Sequence, residues 1–203
     1  MRQLFRRTLV GATLALAALA AQAANPQVAL KTNLGTIVVE LYPQKAPKTV
    51  ENFLQYVKSG FYKDTVFHRV VRDFVVQGGG FTPRLEAKST ALPIPLEANN
   101  GLKNEIGTVA MARAYDPNSA TSQFFFNLSD NKHLNFFRAE PGLYGYTVFG
   151  KIIQGLDIAK QIGTIPTTAQ GQFPAEVPVE TVMLEDAVIL EDNTAKSTSK
   201  RKL

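Results

Sequence analysis

The sequence contains no cysteine. That excludes disulfides, thiolate zinc sites and cysteine nucleophiles. Histidine is nearly as scarce: His68 and His133 are the two among 203 residues, too few for a histidine-rich metal site. No internal repeat is visible. The apolar run Thr8–Ala21 holds 14 residues, short of the roughly 20 that a membrane-spanning helix needs.

A marked charge of one sign is also missing from the body of the chain. The formal net charge is +5, but residues 1–23 hold three arginines and no acid. The remainder carries 19 basic against 17 acidic residues, and Lys196, Lys200, Arg201 and Lys202 at the end account for four of the bases. The body between is slightly acidic, so no basic face for nucleic acid is expected. Residues 1–23 follow the order of a secretory signal peptide: Arg2, Arg6 and Arg7, then the alanine-rich apolar run, then the small-x-small site Ala21-Gln22-Ala23. The competing reading is an uncleaved anchor, which the short run disfavours. Arg6-Arg7 matches a twin-arginine export signal only loosely. Three parts are therefore expected: a cleavable signal (1–23), one globular domain (24–191) and a disordered basic tail (192–203).

Within the domain, residues 27–41 read as two strands about the turn Asn33-Leu34-Gly35. Residues 46–59 read as a helix, with Pro47 in its first turn, Gly60 as its stop, and Val50, Phe53, Leu54 and Val57 on one stripe. Further strands are expected near 65–71, 74–77, 107–112, 123–128, 146–150 and 179–190, and a second helix over 155–162. Residues 81–105 form a long excursion rich in Pro, Asn and charge. Strands cluster at both ends and do not alternate with helices, which disfavours a doubly wound α/β fold. A closed antiparallel barrel with helices over its ends fits better.

The stretch FHRVVRDFVVQGGGF at 67–81 raises a difficulty. Strand alternation puts Phe67, Arg69 and Val71 on one face and Val66, His68 and Val70 on the other. Both faces are apolar, and each carries a polar group that is costly to bury. Taken alone, Arg69 reads as a surface cation paired with Asp64 or Asp73, and Phe74 and Phe125 read as ordinary core. The triple glycine is followed by no helix, so a tight turn is favoured over a phosphate cradle. Ser119 and Ser122 lack the setting of a nucleophile elbow.

Three stretches together, FHRVVRDFVVQGGGF, GTVAMARA at 107–114 and SQFFFNLSDNKHL at 122–134, resemble the cyclophilins, peptidyl-prolyl cis–trans isomerases, and most closely the short bacterial periplasmic type. The resemblance runs from about Val28 to Leu190. It implies a mainly β fold, a closed eight-stranded antiparallel β-barrel capped by two α-helices, with the interior filled and the active site on the outer wall. It implies that Arg69, Phe74 and Gln77 are catalytic. Val75, Ala112, Arg113, Gln123, Phe125, His133, Leu134 and Tyr146 would bind substrate, with Phe74, Phe125 and Leu134 around the proline ring and main-chain groups of Ala112 and Arg113 pairing with the peptide. His68 would be structural and hydrogen-bonded. The partners implied are proline-containing unfolded or partly folded polypeptides. No cofactor, metal, nucleic acid or lasting membrane association is expected, and the chain would act in the periplasm as a monomer.

The sequence departs from the best-known pattern at Val75, where Met is common, at His133, where eukaryotic members carry Trp, and at Tyr146, where His is common. The Trp is associated with tight cyclosporin binding, so weak inhibition by that drug is expected; a submicromolar inhibition constant would contradict this. Two rivals remain: a chaperone of the same fold that grips proline segments without accelerating them, and a lipocalin-like transport barrel with a hollow lumen.

Overall fold

The computed structural model describes residues 24–191; the expected signal segment and basic tail lie outside the described residues. Strands β1 (Gln27–Thr32) and β2 (Gly35–Leu41) form the expected hairpin. Its turn is tied by Thr32, whose Oγ1 donates to Gly35 O at 2.7 Å and accepts from Leu34 N–H at 3.1 Å. Helix α1 (Pro47–Lys58) follows, and its apolar stripe buries Val50, Phe53 and Val57, with Leu54 half-buried beside them.

Ala46, before the first turn of α1, offers no side-chain cap. Glu97, from the long excursion, fills that role from 48 residues away. Its carboxylate accepts from Lys48 N–H (3.0 Å), Thr49 N–H (2.8 Å) and Thr49 Oγ1 (2.7 Å). These are the orphan donors of a helix start, where negative charge is favoured. Replacing a cap by alanine costs roughly 1–2 kcal/mol. Glu97→Ala is therefore expected to lower unfolding stability by about that amount, read as a drop in denaturant midpoint with an unchanged slope.

The next strands are β3 (Thr65–Val66), β4 (Arg69–Val71), β5 (Val75–Gly78), β6 (Thr108–Met111), β7 (Phe124–Asn127) and β8 (Val148–Gln154). Helix α2 (Leu156–Thr164) starts after Gly155, whose left-handed φ of +82° suits glycine. Then come β9 (Thr167–Gln170), β10 (Phe173–Pro178) and β11 (Met183–Leu190). Nine strands form one antiparallel sheet in the order β3-β11-β1-β2-β8-β6-β7-β5-β4, and β9 and β10 form a separate hairpin.

This architecture is mainly β with two helices, and it corrects the expected closed eight-stranded barrel. The hydrogen-bonded order is an open run of nine strands in a curled sheet. The physical reason lies at Phe67–His68. The segment expected as one strand breaks there, so that β3 pairs with β11 and β4 with β5. The two ends of the sheet are thus successive pieces of one segment, and Phe67 N–H donates to Val182 O (2.9 Å) across the break. The break also changes the phase of the side chains. Phe67 and Val70 both enter the core, whereas His68 and Arg69 do not belong to it. The alternation inferred from the sequence, with Phe67 and Arg69 on one face, fails for that reason. The 167–178 hairpin was not expected, and the strands expected at 146–150 and 179–190 occupy 148–154 and 183–190.

The concave side is filled. Phe53, Tyr62, Phe67, Phe124, Phe126 and Phe149 are almost wholly buried. Phe124 receives Phe53 and Tyr62 edge-on, each at 5.4 Å between ring centres, a favourable aromatic geometry. A lumen packed in this way excludes the lipocalin-like reading.

Candidate active site

The outer face of the sheet carries a second apolar cluster. Val75, Ala110, Phe125 and Val148 are buried there, with Phe74, Ala112, Leu134 and Tyr146 packed against them. Alternation along QFFFN decides which phenylalanine goes where: Phe124 and Phe126 point inward and Phe125 outward. The register then builds one line of residues across five strands. Arg69 stands opposite Gln77, Gln77 opposite Phe125, Phe125 opposite Ala110, and Ala110 opposite Val148. Residues directly opposite in an antiparallel pair share a face. A charged donor, an amide and an apolar floor are thereby brought into one row.

Above this row lies a groove of about 350 Å³ lined by Arg69, Phe74, Val75, Gln77, Ala112, Arg113, Phe125, Leu134 and Tyr146. A neighbouring hollow of about 300 Å³ continues over Gln77, Ala112 and Arg113 to Ser119, Thr121 and Gln123. Gln123 therefore borders the groove rather than its centre. His133, which is exposed, stacks on Phe74 at 5.4 Å with a 23° tilt. All eleven residues singled out from the sequence fall within this one region.

Arg69 is held at two of its nitrogens. Nε donates to Glu176 Oε2 at 2.6 Å, and Nη1 makes a long contact of 3.5 Å to Gln77 Oε1. Its guanidinium carbon lies 6.0 Å from the centre of the Phe74 ring. Nη2 carries no hydrogen bond to another of the described residues. The anion that Arg69 meets is thus Glu176, neither Asp64 nor Asp73. Gln77 in turn donates through Nε2 to Gln123 Oε1 (2.9 Å), which fixes the orientation of its amide. Gly80 permits this, since a Cβ there would stand 2.5 Å from Gln123 Cγ.

Arg113 is equally fixed. Nε donates to Gly145 O (3.0 Å), and the guanidinium lies 4.7 Å over the Tyr146 ring. Ala112 N–H already donates to Gln123 O (2.9 Å). That donor is therefore already taken. Gly145 has φ +64°, and a Cβ there would meet the backbone of Asn135 and Phe136. This close approach lets Tyr146 N–H reach Leu134 O at 2.9 Å and joins two walls of the groove.

A buried amide network lies behind those walls, and nothing in the sequence reading anticipated it. Asn131 Nδ2 donates to Phe74 O (3.0 Å) and to Asn127 Oδ1 (2.7 Å). Asn127 donates to Asn104 Oδ1 (3.1 Å), and Asn104 Nδ2 donates to Leu134 O (2.9 Å). Satisfied buried networks of this kind rigidify what they hold, here Phe74 and Leu134. Alternation along QFFFN puts Asn127 on the outer face with Phe125, so its burial under the 104 and 131 segments has no local sign.

His68 is buried, as expected of a structural residue, and its Nδ1 is left without a hydrogen-bond partner. Its ring packs on Phe81 (4.5 Å) and Phe173 (5.3 Å), beside a cavity of only about 10 Å³. Burial lowers its pKa from 6.5 to about 4; a backbone hydrogen bond at Val66 opposes the shift, and the Arg69 charge adds to it. Among the described residues, no group of three or more His, Cys, Asp or Glu could hold a metal ion.

Comparison with known proteins agrees with this geometry. The family model described as cyclophilin type peptidyl-prolyl cis-trans isomerase/CLD matches residues 27–188. A peptidyl-prolyl cis-trans isomerase of Acinetobacter baylyi is 49% identical over 173 residues, 85% of this chain and 90% of its own. One from Streptomyces antibioticus is 52% identical over 163 residues, 80% of this chain and 98% of its own. The solved structure of a cyclophilin type isomerase from Cryptosporidium parvum, in the presence of the dipeptide Ala-Pro, has a TM-score of 0.68 at 30% identity, covering 82% of this chain and 99% of its own.

Proposed function

The chain belongs to the cyclophilin-type peptidyl-prolyl cis–trans isomerases, and we propose that it turns X–Pro bonds on the outer groove, with Arg69 as the charged donor. The observation that carries this reading is the cross-strand row from Arg69 through Gln77 and Phe125 to Ala110, with Nη2 of Arg69 uncommitted beside an apolar floor.

An X–Pro bond resists rotation because the amide has partial double-bond character and a barrier of about 18–20 kcal/mol. Uncatalysed exchange takes roughly 10–100 s. No bond breaks, so neither nucleophile nor metal is required. A hydrogen bond to the prolyl nitrogen favours its pyramidal form, in which conjugation with the carbonyl is lost. That form exists only near the transition state, so a donor aimed at it lowers the barrier rather than merely binding substrate. The guanidinium presents its donors in a fixed plane. Phe74, Phe125 and Leu134 hold the proline ring while the preceding carbonyl swings. Gln77 holds Arg69 and meets the substrate backbone. Val75, Ala112, Arg113, Gln123, His133 and Tyr146 shape the walls along which the peptide lies.

The substrates are proline-containing segments of exported polypeptides, and the enzyme assists their folding as a monomer in the periplasm. The signal-like order of residues 1–23 supports this part of the reading. Recovery from a periplasmic fraction of a chain beginning at Ala24 is expected; a chain retaining Met1 there would count against it. The site itself is tested by adding an Ala-Pro peptide to isotope-labelled protein. Amide shifts should concentrate at Phe74, Ala112, Phe125, Leu134 and Tyr146. Exchange between the peptide's cis and trans signals should quicken in the same sample. Shifts confined to another face would overturn the assignment.

A further inference from the structure

The β9–β10 hairpin stands outside the nine-stranded sheet, yet one of its side chains reaches Arg69 from outside the groove. Its ladder is irregular: Phe173 pairs with Gln170 and Val177 with Thr168, so Pro174, Ala175 and Glu176 stand opposite Ala169 alone. A bulge of this kind bends the strand and redirects a side chain. At its end, Glu176 takes φ +69°, a left-handed conformation that a residue with a Cβ adopts at a cost.

The hairpin is anchored on both sides of that residue. Phe173 packs edge-on against Phe81 at 5.1 Å and faces His68, and Val177 is buried against Val66 and Leu85. Gln172 Nε2 donates to Leu85 O at 3.0 Å. What this strained and doubly anchored residue does is accept the Arg69 Nε–H at 2.6 Å. Both side chains of the pair are more than a third exposed. Ion pairs that exposed add little stability, less than the backbone conformation costs. Strain kept without a stability return points to function.

We propose that Glu176 is a positioning residue for the isomerisation. By taking Nε–H it fixes the plane of the guanidinium, while Gln77 limits Nη1, and Nη2 is left to face the prolyl nitrogen. The inference rests on the reading of Arg69 as the donor. It assigns a part in the reaction to a hairpin that contributes no residue to the groove lining.

The test compares kcat and KM for Glu176→Gly, Glu176→Ala and Glu176→Gln, each also in an Arg69→Ala background, with the Phe173–Phe81 ring contact followed by NMR. Glycine tolerates the left-handed backbone, so Glu176→Gly removes the carboxylate and leaves the hairpin seated even where alanine does not. Glu176→Gly is expected to lower kcat about tenfold with KM within about twofold, the pattern of an interaction made in the transition state. Glu176→Gln still accepts from Nε and should recover most of the rate. Neither change should matter once Arg69 is alanine. An unchanged kcat in Glu176→Gly overturns the inference, as does an equal loss in Glu176→Gln or a further loss in the Arg69→Ala background. If Arg69→Ala alone keeps full activity, the donor reading falls and takes this inference with it. If Arg69→Ala loses activity while Glu176→Gly does not, only the inference falls.

Discussion

Arg69→Ala should lose about two to three powers of ten in kcat while binding an X–Pro peptide within a few-fold of the wild type. The magnitude is that of removing one aimed donor from a partly water-free site. The asymmetry follows from where the donor acts. Planar ground-state amide nitrogen is a poor acceptor, so little binding is lost with the guanidinium. The pyramidal nitrogen is a good one, so the barrier rises by nearly the whole interaction. Arg69→Lys should rescue little. An ammonium can replace the charge, but it cannot satisfy Glu176 through one nitrogen, approach Gln77 through a second and keep a third for the substrate in a fixed plane. The measurement is cis–trans exchange of a short peptide by NMR, with affinity taken from the same titration. Equal rates in wild type and Arg69→Ala would remove Arg69 from the mechanism.

Acid should destabilise the protein through His68, and the sign follows from burial. The folded state holds the imidazole near pKa 4, against 6.5 when unfolded, so between those values the unfolded chain binds more protons. The contribution to stability is whole above pH 6.5 and is lost as pH falls toward 4. From the two pKa values the loss amounts to about 2 kcal/mol at pH 5 and about 3 kcal/mol at pH 4. His68→Leu cannot ionise, and carboxylates that titrate in the same range do so in both proteins. The difference in unfolding free energy between wild type and His68→Leu should therefore move by about those amounts from pH 7.5 to pH 5 and pH 4. Parallel curves would refute the assignment. Because Phe173 packs on His68, the same protonation acts beneath the hairpin that carries Glu176.

Much of this site was legible before any coordinates. The stripe Val50-Phe53-Leu54-Val57 announces α1, since helical spacing survives in any surroundings. The family's motifs point to the groove residues, and the register explains why they sit together: Arg69 and Gln77 face each other across one hairpin, and the distant Phe125 stands opposite Gln77. Glu176 was not legible. The segment TTAQGQFPAEVP is polar and broken by Pro174, and its strands exist because Phe173 and Val177 dock onto residues about a hundred positions earlier. The break at Phe67–His68 was equally hidden. No glycine or proline marks it; the two halves of the segment have different partners, which is a property of the sheet and not of the seven residues. Glu97 capping α1 is another long-range fact without a local sign.

The place of β1 between β2 and β11 bears on how the chain acquires its shape over time. Gln27 pairs with Leu190, so the first strand of the described chain is flanked by the last. During synthesis β1 can meet β2 early, but its other edge stays bare until β11 arrives more than 150 residues later. Long-range closure of this kind is slow, and a bare edge is an aggregation hazard meanwhile. The final sheet thus depends on late synthesis. The same adjacency has a practical side: with residues 27 and 190 side by side, a short linker between them and new termini in the 81–105 excursion should give a circular permutant that still folds.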